Sequence, residues 1–228
     1  MKTLQACLSF LFPDGCLICQ RPLGKEENCF CRHCDPQLPR TGFHLAPDNP
    51  GEQLFFGKCE VERVASFCYF EKGNQFRHTI HRFKYHDSPR TAFRMGAFYA
   101  AELARTNWQA PIDMIVPVPL HPFKQLKRGY NQSHWIARGL ASVWHIPVNS
   151  HLLQKKANTD TQTRRSLYER YVNAQNSFRK RGNESLQGQH ILLVDDVLTS
   201  GSTLEACVHA FREASDVKIS ILTLGFAE

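Results

Sequence analysis

The apolar positions divide the chain into a turn-rich beginning and a longer stretch where short unbroken apolar runs alternate with segments of helical spacing. Val61 to Phe70 is β-branched and aromatic and predicts a strand. Asp113-Met114-Ile115-Val116-Pro117-Val118-Pro119-Leu120 predicts a buried strand that ends in prolines, and Val148 to Leu153, Ile191 to Val194 and Lys218 to Leu224 predict three more. Helical spacing fills the intervals. Asn74 to Tyr85 carries Phe76, Ile80 and Phe83 one turn apart, Arg90 to Thr106 reads as a helix, and Gln132 to Trp144 reads as an amphipathic one. Lys155 to Arg165 is a polar loop before a helix over Leu167 to Ala174. Leu204, Cys207, Val208, Phe211 and Ala214 form a last apolar stripe, introduced by Ser202-Thr203-Leu204-Glu205 with the spacing of a capping box. Strands alternating with helices predict an α/β fold, a mostly parallel sheet covered on both faces.

The beginning is organised differently. Leu4 to Phe12 is apolar but carries no small-residue cleavage pattern and runs directly into Pro13-Asp14-Gly15-Cys16, so it reads as a short helix rather than a leader. Gln37 to Phe56 holds Pro39, Gly42, Pro47, Asp48, Asn49, Pro50 and Gly51, the composition of a linker. The expected partition is a small module over 1–38, a linker over 39–58 and the α/β domain over 59–228. No apolar run approaches the roughly 20 residues of a membrane span. With 42% hydrophobic and 21% charged residues, the 228-residue chain has a globular composition.

Chemistry concentrates where the Ile191–Val194 run ends. Asp195 and Asp196 follow it at the carboxyl end of a buried strand, where open α/β sheets bind ligands. Thr199, Ser200, Gly201, Ser202 and Thr203 then form a hydroxyl-rich turn at a helix start, with Gly201 allowing close backbone approach, and such a turn binds anions. Two carboxylates to accept hydrogen bonds from hydroxyls, beside a cradle for phosphate, suit a sugar phosphate. A hydrophobic run ending in Asp-Asp also resembles the acidic strand of a nucleotide triphosphatase, but no Gly-x-x-x-x-Gly-Lys-[Ser/Thr] occurs in the chain.

Cysteine gives a second signal. Cys16-Leu17-Ile18-Cys19 and Cys31-Arg32-His33-Cys34 are paired Cys-x-x-Cys knuckles in a segment too poor in apolar residues to fold alone, which points to a tetrahedral zinc site. Cys29 competes with Cys31 in Cys29-Phe30-Cys31, and Cys31 is preferred for its spacing. Cys7, Cys59, Cys68 and Cys207 lie in hydrophobic runs and read as buried apolar residues.

The net charge of +7 brings nucleic acid into view. Basic residues cluster at Arg77 to Lys84, Lys124 to Arg128 (Lys124, Lys127, Arg128), Lys155-Lys156, Arg164-Arg165 and Arg179 to Arg181, some beside aromatics such as Phe83 and Tyr130. Such surfaces track phosphates, although the Arg179–Arg181 run reads more simply as a solvated face.

Ile191 to Thr203 resembles the phosphoribosyl pyrophosphate signature of type I phosphoribosyltransferases: a hydrophobic run, two acidic residues, two small apolar residues, then a Thr/Ser-rich turn with Gly. Val116-Pro117-Val118-Pro119-Leu120, Lys127-Arg128-Gly129-Tyr130-Asn131-Gln132-Ser133, and Thr161-Gln162-Thr163 followed by Arg170 and Asn173-Ala174 stand in the order seen in the ComF family. That family couples an amino-terminal Cys-x-x-Cys zinc module to a phosphoribosyltransferase domain, and the resemblance runs from Cys16 to the last strand. It implies that Asp195 and Asp196 hold the ribose diol, that Thr199 to Thr203 hold the 5′-phosphate, and that the Val118 loop and Arg128 face the pyrophosphate. Thr161 to Thr163 would form a hood, with Lys84, Arg128 and Arg164 as weaker candidates for the leaving group's charge. The implied reaction is displacement of pyrophosphate with Mg²⁺, and no residue stands out as its general base. The family's tie to natural competence implies a cytoplasmic protein, reaching the inner face of the membrane through DNA-uptake partners and meeting single-stranded DNA. The alternative is a non-catalytic DNA-translocation factor that uses the sugar-phosphate site as a sensor.

Overall fold

A computed structural model describes residues 15–71, 73, 76–77, 79–80, 89–120, 125–126, 128–156, 177–183, 185–211 and 216–227. Six strands are formed there: β1 (Arg63–Tyr69), β2 (Met114–Pro117), β3 (Leu153–Lys155), β4 (Phe178–Lys180), β5 (His190–Leu198) and β6 (Lys218–Phe226). Four of them make one sheet in the order β1-β6-β5-β2, every neighbouring pair parallel. The helices are α1 (Pro50–Gln53), α2 (Pro89–Ala104), α3 (Gln132–Trp144) and α4 (Ser202–His209). The unbroken apolar runs explain the layering. Leu192 and Val194 of β5 pack with Leu222 and Leu224 of β6 in the layer of α2 and α3, whereas Ile191 and Leu193 pack with Ile219 and Ile221 under Leu204, Cys207 and Phe211.

Two expected elements differ. Val148 to Leu153 does not form one strand: Val148 makes a single parallel bridge to Ile115, and β3 begins only at Leu153, pairing antiparallel with β4 in a separate two-stranded ribbon. Asn149 is the reason, because its Oδ1 accepts the amides of His151 (3.1 Å) and Leu152 (3.0 Å) and turns the chain. The capping box of α4 is not made either. Its N-cap is Gly201, in the left-handed region at φ 78° and without a side-chain cap, while the Ser202 and Ser200 hydroxyls meet at 2.8 Å. Phe76 and Ile80 are buried, but positions 74, 75, 78 and 81–85 of that expected helix, the helices over 4–12 and 167–174, and the end of the stripe at Ala214 lie outside the described residues.

The Pro- and Gly-rich stretch read as a linker is packed structure. Left open, the outer edge of β1 would expose unpaired N–H and C=O groups. Instead the Tyr69 amide donates to Pro39 O at 2.8 Å, the Thr41 amide donates to Phe67 O at 3.2 Å, and the Thr41 hydroxyl donates to Ser66 O. Asn49 is 6% exposed; its Nδ2 donates to Val64 O (3.2 Å) and its Oδ1 accepts the Gly51 and Glu52 amides that start α1. Glu52 Oε1 accepts the Val64 amide at 3.1 Å. Each buried edge group left unmade would cost about 1–3 kcal/mol, so polar side chains do here what a further strand would do. Phe43 and Phe55 fill the core beneath them. The amino-terminal module is docked too: Phe30 lies against Phe67 and Phe98, and the Thr79 hydroxyl donates to Leu17 O at 3.0 Å.

Helices α2 and α3 touch backbone to backbone through Gly96 and Gly139. A Cβ on Gly139 would stand 2.2 Å from Phe93 O and 2.8 Å from Ala97 N, neither of which can swing away. Gly139→Ala is expected to lower unfolding stability by about 2–3 kcal/mol, read as a shift in denaturant midpoint. Acid acts through His190, 5% exposed, whose Nε2 lies 2.8 Å from the Ser220 hydroxyl. Burial, reinforced by Arg63, holds its pKa below the ordinary 6.5, and burial lowers His44 as well. The unfolded chain therefore binds these protons first, and stability present above pH 6.5 is lost as pH falls toward the lower folded values. Denaturant midpoints between pH 7.5 and 5.5 should fall, and less steeply in His190→Gln.

Candidate functional site

Between the carboxyl ends of β2 and β5 the chain departs to opposite faces of the sheet. After β2 it enters α3, in the layer of α2; after β5 it enters α4, on the other side. Open α/β sheets bind ligands at such a divergence, because two loops part there and leave a crevice.

Asp195 and Asp196 stand on its rim. Both belong to β5, but the pairing with β2 ends at Pro117↔Val194, one residue earlier, so they are half-buried on the open side while Asp195 still pairs with Thr223 of β6. Asp195 Oδ1 accepts two bonds, from the Ser133 hydroxyl at 2.8 Å and the Asp196 amide at 2.9 Å. Ser133 is buried, and its own amide donates to Asn131 Oδ1 (3.1 Å) at the start of α3. Asn131 Nδ2 donates to Val118 O at 3.0 Å, tying the β2 loop to the same helix start. The turn after β5 exposes Thr199, Ser200, Ser202 and Thr203, while Gly201 is buried. A Cβ on Gly201 would stand 3.3 Å from Phe55 Cε1, so the turn rests on a ring from the segment read as a linker. Its hydroxyls sit at the start of α4, whose first amides have no partner within the helix. Behind the site lies Cys207, whose thiol pKa is pushed far up by burial and further by the Asp195 charge, and which is therefore an inert packing group.

The structure thus brings together Asp195, Asp196, Thr199 to Thr203 and Val118. Arg128 joins them through Gln132, its Nη1 donating to Gln132 Oε1 at 3.3 Å. Lys84, Lys124, Lys127, Thr161 to Thr163, Arg164, Arg170 and Asn173-Ala174 lie outside the described residues. Ser133 and Phe55 are the supports that the sequence reading passed over. Asn131-Gln132-Ser133 behind Gly129 does carry an N-cap signal, but nothing local marks Ser133 as the holder of a residue 62 positions away.

The four knuckle cysteines also converge. The sulfurs of Cys16, Cys19, Cys31 and Cys34 all lie within 4.8 Å of one another, with Cys19 and Cys31 at 3.8 Å. Zinc–sulfur bonds of about 2.3 Å in a tetrahedron require sulfurs about 3.8 Å apart, so the donor set and its size fit a thiophilic metal such as zinc. Cys29 is directed into the core with Phe30 instead. Cys68 and Cys207 are buried as expected, Cys59 only partly so because it follows the exposed Lys58 turn, and Cys7 lies outside the described residues. Burial opposes ionisation of Cys31, yet the Cys34 and His33 amides and the neighbouring thiols outweigh it and hold its pKa down to about 6. Around the cluster, Glu27 accepts the Gly24 (2.7 Å) and Arg32 (2.7 Å) amides and pairs with Arg21 at 3.1 Å, shaping the loop between the knuckles.

Residues 136–224 match the family model of the phosphoribosyl transferase domain. Competence protein F of Haemophilus influenzae is 30% identical over 226 residues, covering 95% of this chain and 98% of that one. This chain belongs to the ComF family of phosphoribosyltransferase-like proteins. The DNA utilization protein YhgH of Escherichia coli K12 is 33% identical over 205 residues, 84% of this chain and 88% of its own, and ComFC of Bacillus subtilis is 25% identical over 201 residues, 83% and 80%. Among solved structures, the adenine phosphoribosyltransferase of Leishmania tarentolae covers 83% of this chain and 94% of its own at 13% identity, with a TM-score of 0.38. In this ComF-family chain the cysteine module packs on the parallel sheet through Phe30 and Phe67.

The cluster separates metal binding from packing. Cys19 is exposed whereas Cys29 is 1% exposed in the core, so Cys19→Ser is expected to abolish stoichiometric metal, measured by elemental analysis. Cys29→Ala should keep the metal and lose about 1 kcal/mol or more of stability.

Proposed function

We propose that this chain binds phosphoribosyl pyrophosphate in the β2–β5 crevice and serves the use of imported DNA. The observation that carries the first half is the Asp195 carboxylate at the divergence, with one oxygen held by Ser133 and the Asp196 amide and the anion-binding turn one short step along the chain. The Asp195 carboxylate, oriented by those two bonds, accepts from one ribose hydroxyl, and Asp196 takes the second hydroxyl. Thr199 to Thr203 and the start of α4 take the 5′-phosphate. That placement turns the anomeric carbon and its pyrophosphate toward Val118 and Arg128.

Mg²⁺ accompanies the ligand, since hard carboxylate and phosphate oxygens are what it takes, and when bound it offsets the diphosphate charge. In the transferase reading, an acceptor's lone pair forms a bond to the anomeric carbon as the bond to the pyrophosphate oxygen breaks, and pyrophosphate leaves with that electron pair. The four cysteines hold a structural zinc whose role is to fold the module.

The second half rests on kinship and charge. Relatives are named for competence and DNA utilization. The β3–β4 ribbon gathers Lys155, Lys156, Arg179, Lys180 and Arg181, with Arg179 and Arg181 exposed and Arg179 braced on Gln154 Oε1 at 3.0 Å. A basic ribbon packed beside α4 suits the phosphates of a single strand, and Lys124, Lys127 and Arg128 are the other basic candidates. No helix among the described residues is long and apolar enough to cross a membrane; the proposed place of work is the cytoplasm, at the membrane's inner face through DNA-uptake partners.

Calorimetric titration of metal-loaded protein with phosphoribosyl pyrophosphate and Mg²⁺ tests the reading. Removing both charge-assisted contacts in Asp195→Asn/Asp196→Asn should weaken binding by about a hundredfold or more, and an unchanged affinity would sink it. Pyrophosphate release, followed with and without single-stranded DNA, then separates a transferase from a sensor.

A further inference from the structure

Gln132 opens α3 and is 1% exposed. Its Oε1 accepts the Arg128 guanidinium. Because arginine only donates, that contact fixes which end of the amide is which, and Nε2 is turned the other way. Nε2 is buried and has no hydrogen-bond partner among the described residues. A glutamine flanked by two satisfied polar neighbours is an unexpected place for an unmet donor: Asn131 bonds Val118 O and Ser133 bonds Asp195 Oδ1, one on each wall of the crevice. The helix start adds positive polarity at the same point. Buried polar groups in folded proteins are almost always paired, and the exceptions need a reason.

We propose that Gln132 is the diphosphate-recognising donor of this site, its Nε2 hydrogen-bonding an oxygen of the pyrophosphate while Arg128 holds the amide in the required orientation. The inference rests on the sugar-phosphate reading above. Gln132 then distinguishes a ribose 5-phosphate bearing pyrophosphate on its anomeric carbon from one bearing a hydroxyl, a discrimination that Asp195, Asp196 and the Thr199–Thr203 turn cannot make, since both ligands offer them the same groups.

Two substitutions separate the donor from its surroundings. Gln132→Met keeps the length and removes the amide; Gln132→Glu keeps an acceptor for Arg128 but removes the donor. Wild type, both variants and Asp195→Asn/Asp196→Asn are titrated with Mg²⁺-pyrophosphate, phosphoribosyl pyrophosphate and ribose 5-phosphate, with the melting temperature of each ligand-free protein measured alongside. Both Gln132 variants should bind the two diphosphate ligands about tenfold to a hundredfold more weakly and ribose 5-phosphate as wild type does. Gln132→Met should melt close to wild type, because removing the unmet buried donor offsets the lost contact to the half-exposed Arg128. Unchanged diphosphate affinity overturns the proposal, and the sugar-phosphate reading survives if wild type binds and the double aspartate variant does not. Equal weakening toward all three ligands overturns it as well, since the residue would then be a general support. Wild type that binds no phosphoribosyl pyrophosphate removes the reading and this inference together.

Discussion

A parallel sheet buried on both faces has almost nowhere to keep a polar site, and the exception is where two neighbouring strands send their chains to opposite faces. In this molecule β2 and β5 do so, and the rest of the site follows from that divergence. Ending β2 one pairing short of Asp195 leaves the carboxylates half out of the ladder. Sending α3 and α4 apart aims two helix starts at one opening. Asn131 and Ser133 then fasten the walls, one through Val118 and the other through Asp195.

What could be read in the sequence is what repeats along it. The Ile191–Val194 run, the α3 stripe and the Asp-Asp turn are local patterns whose physics is complete within a dozen residues, and the structure places them as their periodicity says. The Cys-x-x-Cys spacing was enough to favour Cys31 over Cys29, because a knuckle's geometry is local too. Two of the misreadings share a cause. Residues 37–56 have the composition of a loop because Thr41, Asn49 and Glu52 are polar, but they are polar in order to bond the backbone of β1, a partner that only the fold supplies. The capping box gave way to Gly201 because the turn settles onto Phe55, roughly 146 positions earlier in the chain. Asn149 broke an expected strand through its own side chain.

The cysteine module is joined to the core by more than its tether. Phe30, from the second knuckle's approach, sits between Phe67 of β1 and Phe98 of α2, and Arg40 binds Asp35 at 2.8 Å and Glu102 at 3.1 Å, linking module to helix. Disorder in the knuckles would therefore be felt at β1, whose edge is held by the chain that leaves them, and from there at Phe55 and the turn above it.

The covering of β1 by its own preceding chain has an evolutionary side. A module joined by a true linker can be shuffled, duplicated or lost between genes while its neighbour carries on. Here the segment between module and sheet is the sheet's border, so a recombination point placed in it would strip Val64, Ser66 and Phe67 of their partners. Separating the two halves would cost the sheet that border.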